Sequence, residues 1–366
     1  MNRVKIKFTG DLMCTMLMEA QCGGAYERFF AAAEKELHDC DYLVGNLETP
    51  IAGGACGYTK ERYCFNTPER YLAVLKDAGF HLLSLANNHC MDRGETGMLT
   101  TAANCRKYGF DITGINMTDD AKQRVFFKDL CGIKTAFINY TYGTNAFAHH
   151  RFLSADKKYT VNLLQPEETL DGSIHLLNTA SEIAKETERL YGGTVPDNNV
   201  LPFIQRLQED IRFAKQHADF VIFLLRCGGQ YNDVVDAYTK YIAETVKAAG
   251  ADFIVGNHPH IIQESDFSHG TVYSLGNFIC APCEGNSDSP AKPFNAVLSI
   301  TLEKENGKTH IAEKSFHLMY VDETGGCPVA VNTAAADIPE KDILYYANRF
   351  APHMKYRKKQ WEYGID

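Results

Sequence analysis

Short hydrophobic runs alternate with amphipathic segments through the first 140 residues, and this order predicts a fold of alternating strands and helices. Each hydrophobic run is bounded by glycine or polar residues, as buried strands are. Parallel strands joined by right-handed crossovers follow from that order. The predicted strands are Lys5–Thr9, Tyr42–Val44, Phe80–Leu85, Phe110–Thr113, Arg124–Asp129 and Lys134–Asn139, and the predicted helices are Tyr26–His38, a helix capped by Thr67 that ends at Gly79, and Thr96–Tyr108.

The pattern changes from about residue 148 to residue 217, where the chain becomes polar and helical. We expect this segment to be an insertion that borders the edge of the sheet where an active site would lie. It is not expected to be a separate domain, because no flexible linker flanks it. We predict one domain over residues 1–330 and a C-terminal helical extension over residues 331–366. The other predicted elements are helices at Thr179–Tyr191, Leu201–His217, Val234–Ala249 and Lys341–Phe350, strands at Phe220–Leu225, Phe253–Val255 and Val272–Leu275, and antiparallel strands at Ala296–Leu302 and His310–Met319.

The composition excludes some classes of protein. Hydrophobic residues at 45% and charged residues at 23% are typical of a globular protein, and the net charge of -9 argues against a nucleic-acid surface, which needs a basic face. The most apolar run, Phe220–Leu225, is too short to cross a bilayer, and the first residues lack a secretory hydrophobic region. The twelve cysteines show no framework spacing, so we interpret them as reduced thiols and expect a cytoplasmic protein.

The stretch from residue 83 to residue 92 places two amides and an imidazole directly after a predicted buried strand. Because ligands of open α/β sheets bind at the carboxyl ends of the strands, Asn87, Asn88 and His89 are candidate site residues. An amide oxygen can bind a metal, and a histidine can transfer protons. An ordinary polar turn explains this stretch equally well when it is taken alone.

Polar side chains follow most of the other predicted strands as well. Independent turns would not be expected to place carboxylates, amides and imidazoles at most strand ends, whereas a site along one sheet edge would. The residues at these strand ends are Asp11, Asn46, Glu48, Asn87, Asn88, His89, Arg226, Asn257, His258, His260 and Asn277.

This set of donors suits a divalent metal ion, because it mixes carboxylate and amide oxygens with imidazole nitrogens. Such sites are typical of Mn, Fe or Zn. Pro259 predicts an extended conformation for His258, which would let the rings of His258 and His260 face one cavity. A polar turn is the simpler alternative for these two histidines.

Five short motifs occur in order along the chain: TGD at 9–11, NLETP at 46–50, ANNHCMDRG at 86–94, GNHPH at 256–260 and YSLGNF at 273–278. Together they resemble the capsule-synthesis CapA family, which is associated with poly-gamma-glutamate capsules and whose fold resembles the calcineurin-like metallophosphoesterases. The resemblance implies a two-sheet α/β sandwich of the metallophosphoesterase type, with helices on the outside.

The resemblance also implies roles for single residues. His89 would stabilise the transition state or protonate the leaving group of a phosphoester that is attacked by a metal-bound water, and Asp92 would orient His89. We assign substrate binding to Asn87, Arg226, Asn257 and Asn277; Phe65–Pro68 and Tyr140–Tyr142 are further candidates that packing explains equally well. The implied metal ligands are Asp11, Glu48, Asn88, His258 and His260.

Two positions depart from the pattern that the resemblance implies. Metallophosphoesterases usually have histidine where this chain has Met13, and the CapA family usually has His-Trp-Gly-x-Glu where residues 226–230 read RCGGQ. Arg226 cannot bind a metal, because its guanidinium stays protonated, so the number of ions, one or two, is open. Arg226 either binds a phosphate or carboxylate in bidentate fashion or forms a salt bridge with Asp11 or Glu48 that fills the vacated position.

Three functions are compatible with these residues. The preferred one is a CapA-like capsule-biosynthesis protein that acts as a metal-dependent phosphoester hydrolase. The alternative is a non-catalytic accessory protein that binds an anionic small molecule or polymer, either phosphoester or polyglutamate-like, with Arg226 replacing a metal. The intact pairs Asn88–His89 and His258–His260 argue against a third possibility, an empty relic of a former site.

Overall fold

The computed structural model describes residues 2–61, 63–167, 199–280, 289–352 and 362–365. Two β-sheets pack face to face, and helices cover the outer face of each sheet. The predicted α/β fold with two sheets and outer helices is therefore confirmed. The strands are β1 Asn2–Leu12, β2 Tyr42–Leu47, β3 Leu82–Ser84, β4 Asp111–Thr113, β5 Phe126–Leu130, β6 Ile133–Thr141, β7 Phe220–Arg226, β8 Phe253–Asn257, β9 Thr271–Val272, β10 Asn277–Ile279, β11 Phe294–Glu305, β12 Lys308–Asp322, β13 Val329–Asn332 and β14 Tyr363–Ile365.

The described helices lie mostly between strands, as crossover connections. Two 3-10 helices, at Tyr26–Phe29 and Gly54–Cys56, add short turns to the first half of the chain. The α-helices are α1 Met16–Cys22, α2 Glu34–His38, α3 Arg70–Asp77, α4 Gly94–Lys107, α5 Ala121–Arg124, α6 Ala146–His149, α7 Leu201–His217, α8 Ala237–Ala249 and α9 Glu340–Phe350.

The two sheets differ in strand direction. In the first sheet the order is β13-β12-β11-β1-β2-β3-β4, with β10 beside β1 and β14 beside β12. Strands β1 to β4 and β10 are parallel, and β11 to β14 pair in antiparallel fashion. The second sheet has the order β5-β6-β7-β8-β9 and is parallel except for the β5–β6 pair. The carboxyl ends of the parallel strands carry the polar motifs.

Buried side chains form three apolar layers. The layer between the sheets includes Phe8 of β1, Phe137 of β6 and Ile222 of β7. Leu12 and Leu83 belong to the layer between the first sheet and helices α1 to α4. A third layer joins the second sheet to α7 and α8. Burial on both faces explains why β7 reads as a continuous hydrophobic run rather than an alternating one.

The predicted helix Tyr26–His38 is wrong as a single element, since a 3-10 turn and a short α-helix replace it. The rings of Tyr26, Phe29 and Phe30 all pack around Tyr71, with centroid distances of 5.4, 6.4 and 6.3 Å. Two consecutive aromatic residues would point about 100° apart on a regular helix. The break lets both of them reach the same partner.

Several other predicted boundaries shift. The predicted cap Thr67 lies three residues before α3, because its hydroxyl bonds to that of Thr49 at 2.7 Å. The predicted strand Arg124–Asp129 loses its first residues, since Arg124 ends α5 and forms a bidentate salt bridge with Asp210. The predicted strand Val272–Leu275 is reduced to β9, and a separate strand, β10, follows it.

The polar segment from 148 to 217 divides into parts with different places in the fold. Helix α7 buries Ile204, Leu207 and Ile211 against the second sheet and joins β6 to β7. This helix belongs to the core, contrary to the expectation that the segment borders the active-site edge. The other predicted piece, Thr179–Tyr191, lies outside the described residues.

The C-terminal part packs on the first sheet. Tyr346 and Phe350 of α9 are buried with residues of β11 and β12, and β14 pairs with β12. The division at residue 330 stays a prediction. Among the described residues, no helix is both long and apolar enough to span a membrane.

Candidate functional site

Asp11 lies near the carboxyl end of β1, between strands that also carry polar residues there. In the sheet register it pairs with Asn46 of β2 and Asn277 of β10, and its N–H donates to the carbonyl of Gly276 at 3.0 Å. Gly10 permits this approach, because a Cβ atom there would lie 1.9 Å from the carbonyl oxygen of Gly276. A glycine thus brings the first carboxylate to the sheet edge.

We expect Gly10→Ala to destabilise the protein, because the added methyl group overlaps a backbone atom that cannot rotate away. Overpacking of this kind costs about 1–3 kcal/mol, and urea unfolding would show a lower midpoint. Gly325→Ala is the control, since a Cβ atom there would meet no other atom within 4 Å. Equal losses in both variants would show that the close approach at Gly10 is not the cause.

Arg226 ends β7 and reaches across to the polar residues of the first sheet. Its Nη1 donates to Oδ1 of Asp11 at 2.7 Å, and its Nη2 donates to Oε1 of Glu48. Nε and Nη2 donate to Oδ1 of Asn88 at 3.1 and 2.8 Å. The Arg226 side chain is 1% exposed, and both carboxylates are fully buried. Three predicted metal ligands therefore share one guanidinium.

The opposite charges in this cluster stabilise each other. Burial by itself raises the pKa of Asp11, but Arg226 and His260 hold the pKa of that carboxyl below its ordinary value. Burial lowers the pKa of Arg226, and Asp11 opposes that change. Of the two alternatives that the sequence left for Arg226, the observed geometry is the salt bridge: the guanidinium fills the space between the carboxylates. Bidentate binding of a substrate anion would need donors that these partners already engage.

His258 and His260 bring their rings toward Glu48. One ligand atom from each of the three residues lies within 4.8 Å of the others. His258 has φ +112° and His260 has φ +61°, so the expectation of an extended His258 is wrong. Positive φ is uncommon for residues other than glycine and costs energy, and such strain is found most often at functional sites.

Asn277 orients His260. The Nδ1–H of His260 donates to Oδ1 of Asn277 at 2.8 Å, and Nδ1 also lies 3.3 Å from Oδ2 of Asp11. Burial lowers the pKa of His260, although Asp11 opposes the shift, and this favours the neutral ring; with the proton on Nδ1, the lone pair of a neutral ring is on Nε2. That nitrogen lies 3.9 Å from Oε1 of Glu48. Asn277 thus contacts a candidate metal ligand, and its predicted role in substrate binding stays a prediction.

His89 and Asp92 form a buried pair on the turn after β3. The distance from Nδ1 of His89 to Oδ2 of Asp92 is 2.8 Å, and the N–H of Phe65 donates to the same oxygen at 2.7 Å. Burial raises the pKa of Asp92, but His89 and His149 bring the pKa of that carboxyl below its ordinary value. The Nε2 atom of His89 lies 3.9 Å from Oε1 of Glu48. The orienting contact predicted for Asp92 is present.

Asn87 and Asn257 have different surroundings. Asn87 is 1% exposed; its Nδ2 donates to the carbonyl of Leu47 at 2.8 Å, and its Oδ1 accepts from the N–H of His89 at 3.0 Å. These contacts hold the turn that carries the site. The backbone carbonyl of Asn257 accepts from the N–H of Cys227 at 3.3 Å, and its Oδ1 receives no hydrogen bond from the described residues. The proposed substrate role of Asn257 stays a prediction.

Three further residues lie at the site. The sequence motifs did not include His149, and the roles of Phe65 and Tyr142 were left open. His149 of α6 places Nε2 3.4 Å from Oδ1 of Asp92. Phe65 packs on His89 and Tyr142 packs on His258, each with a ring-centroid distance of 4.4 Å. For Phe65 and Tyr142, the sequence favoured neither packing nor substrate contact over the other. His149 follows β6 at the start of the polar segment, and its position after a strand end was the available signal.

Cys64, Asp92 and His149 form a second group with ligand atoms within 4.8 Å of one another. The Nη1 atoms of Arg93 and Arg151 both lie 3.4 Å from Sγ of Cys64. Burial raises the pKa of this thiol to about 11. Two guanidinium groups beside a neutral thiol make this group a poor cation site. Its contacts connect the 64–66 loop to the turn around Asp92.

The residues around Glu48 fit one divalent ion. Oε2 of Glu48 is buried and receives no hydrogen bond from the described residues. A bound cation would give this oxygen a partner. A carboxylate and two imidazoles are common ligands of transition metals. The oxygens expected to hold a second ion already accept hydrogen bonds from Arg226. The residues present therefore do not fit a second ion beside the first.

These features define a two-sheet α/β protein with a candidate metal site at the carboxyl ends of its strands, next to a buried histidine–aspartate pair. The chain belongs to the family described as bacterial capsule synthesis protein PGA_cap, whose family model matches residues 5–282. The family predicted from the five motifs is confirmed.

Two curated relatives agree with this assignment. The PGA biosynthesis protein CapA of Bacillus subtilis is 28% identical over 284 residues, which cover 74% of this chain and 62% of that protein. The capsule biosynthesis protein CapA of Bacillus anthracis is 25% identical over 248 residues, covering 66% and 51%. The chain thus spans less than two thirds of either relative.

The calcineurin-like phosphoesterase YfkN of Bacillus subtilis aligns over 87% of this chain and 90% of the solved chain, with 14% identity and a TM-score of 0.43.

Proposed function

We propose that this chain is a CapA-type capsule-biosynthesis protein that hydrolyses a phosphoester with one divalent metal ion. One observation carries the proposal: Oε1 of Glu48 lies 3.9 Å from Nε2 of His89 and 3.9 Å from Nε2 of His260. A histidine suited to proton transfer and a histidine suited to metal binding therefore face the same carboxylate. The capsule role rests on family membership and on the names of the two relatives.

Glu48, His258 and His260 would hold the ion, which we propose to be Mn, Fe or Zn because the donors mix oxygen and nitrogen. When bound, such an ion supplies a Lewis acid that polarises a phosphoryl oxygen and lowers the pKa of a water molecule. Asn277 would keep His260 in the tautomer that leaves Nε2 without a proton.

The residues of the chain itself would then complete the reaction. His89 would protonate the leaving oxygen through Nε2, because Nδ1 is held by Asp92. The ring of Phe65 covers one face of His89 and shields the pair from water. We propose an anionic substrate, either a phosphoester or a polyglutamate-like polymer, since a divalent ion at Glu48 would make the pocket positive.

The test combines metal content with turnover. Purified protein would be stripped with chelator, reloaded with Mn, Fe or Zn, and assayed with p-nitrophenyl phosphate and bis-p-nitrophenyl phosphate. We expect hydrolysis that depends on the ion. We also expect His258→Ala with His260→Ala to lose both the ion and the activity, because one carboxylate cannot retain a transition metal alone.

His269→Ala is the matched control, because its side chain is 77% exposed and pairs with Asp266 at the protein surface. Retained ion without hydrolysis of either ester would refute the hydrolase proposal and favour the accessory protein. Full activity in the double variant would show that the metal site lies elsewhere.

A further inference from the structure

We propose that the guanidinium of Arg226 is a built-in cation that takes the place of a second metal ion, so that this site binds one divalent ion and no more. The inference concerns the number of cations in the proposed site. It stands or fails on ion binding and does not require that the protein hydrolyse phosphoesters.

The first support is the convergence of oxygen atoms. Oδ1 of Asp11, Oε1 of Glu48 and Oδ1 of Asn88 come from three different strand ends of the first sheet and surround one guanidinium. Converging oxygens from separate elements are what a cation requires. Here the guanidinium meets them with directed hydrogen bonds, and β7 carries it in from the second sheet.

The second support is competition for the same lone pairs. A second ion would have to coordinate oxygens that now accept from Arg226 at 2.7 and 2.8 Å. The side chain of Arg226 is 1% exposed, so water cannot screen the repulsion between an ion and the guanidinium. Arginine cannot release its proton to become a ligand, which leaves displacement of the whole side chain as the only way to admit that ion.

The third support is the balance of charge. Two buried carboxylates and one guanidinium leave the cluster with a net charge of minus one. One divalent ion beside Glu48 changes this to plus one. A second divalent ion would raise it to plus three in a buried space, where uncompensated charge is costly. Replacing arginine with a neutral ligand would lower the charge of the two-ion site from plus three to plus two.

Glu48 links the two cation positions. Oε1 accepts from Arg226, whereas Oε2 receives no hydrogen bond from the described residues. The same carboxylate belongs to the group with His258 and His260. One cation is thus built into the chain at Oε1 of Glu48, and the same carboxylate keeps Oε2 for an exchangeable ion.

Arg226→His tests the proposal, because a neutral imidazole offers a ligand where the cation stood. Stripped wild-type and variant proteins would be dialysed against Mn²⁺, and bound ions would be counted by mass spectrometry. We expect one ion per chain in the wild type and two in the variant. Electron paramagnetic resonance gives a second readout: an isolated Mn²⁺ signal in the wild type and an exchange-coupled pair in the variant.

Arg124→His is the matched control, because Arg124 is a buried arginine that forms a bidentate salt bridge with Asp210 away from the site. It should lose stability and still bind one ion. Two ions in the wild type would overturn the proposal even if the variant did not fold, and so would a single ion in a folded Arg226→His protein. Failure of the hydrolase assay would leave these ion counts unaffected.

Discussion

Arg226→Leu is expected to lower the free energy of unfolding by about 3–5 kcal/mol in metal-free protein, the range for breaking a buried ion pair. The variant leaves Asp11 and Glu48 buried side by side without their cation. Asn88 also loses the two donors that its oxygen accepts from. Urea unfolding, monitored by circular dichroism, would measure the loss.

The cause can be separated from lost packing. Adding Asp11→Asn and Glu48→Gln to Arg226→Leu removes the stranded charges, and the triple variant should recover most of the lost stability. Arg3→Leu is a surface control, because Arg3 is 45% exposed in its ion pairs with Glu303 and Glu313, and its loss should change the stability little. A triple variant no more stable than Arg226→Leu would mean that uncompensated charge is not the reason.

The second large effect concerns turnover. If the protein hydrolyses phosphoesters, His89→Gln is expected to lower kcat about 10²–10⁴-fold, the usual contribution of general acid–base catalysis. Glutamine keeps a polar side chain in the turn but cannot transfer the proton. The number of bound ions and KM should change little, because His89 does not belong to the group of Glu48, His258 and His260.

Asp92→Asn tests the orienting contact through a different pattern. Losing the negative charge that faces Nδ1 should reduce kcat by a smaller factor, about 10–100-fold, and leave the ion count at one. His269→Gln, at an exposed position, serves as the matched control for His89→Gln. Unchanged kcat in His89→Gln would remove His89 from the mechanism. Loss of the ion in that variant would instead make His89 a ligand.

The alternation of strands and helices and the polar strand ends were readable from the sequence. Strand order explains this success: Asp11, Glu48 and Asn88 follow parallel neighbours, whose carboxyl ends must meet at one edge. The spacing of His89 and Asp92 also placed both on one turn. Family resemblance then supplied roles that the residues alone could not.

Other features depended on contacts between distant segments. The aromatic residues 26–30 break their predicted helix to pack around Tyr71. His149 contacts Asp92 although 57 positions separate them in the chain. His258 adopts a positive φ that local rules for a residue before proline do not predict. In each case tertiary packing outweighs the local preference, which is worth only about 1 kcal/mol per residue.

By itself, the sequence determined the fold class, the family and the set of side chains that could form the site, because hydrophobic periodicity and the order of the motifs are properties of the chain. Only the tertiary structure decided which partners Arg226 meets, namely Asp11 and Glu48, while its role in substrate binding stays a prediction. The guanidinium enters from the second sheet and meets carboxylates from the first, and the distance between such groups depends on how the two sheets pack. Four of the five N–H donors of the guanidinium point at Asp11, Glu48 and Asn88, so the two donors that bidentate binding of a substrate anion needs are not both free.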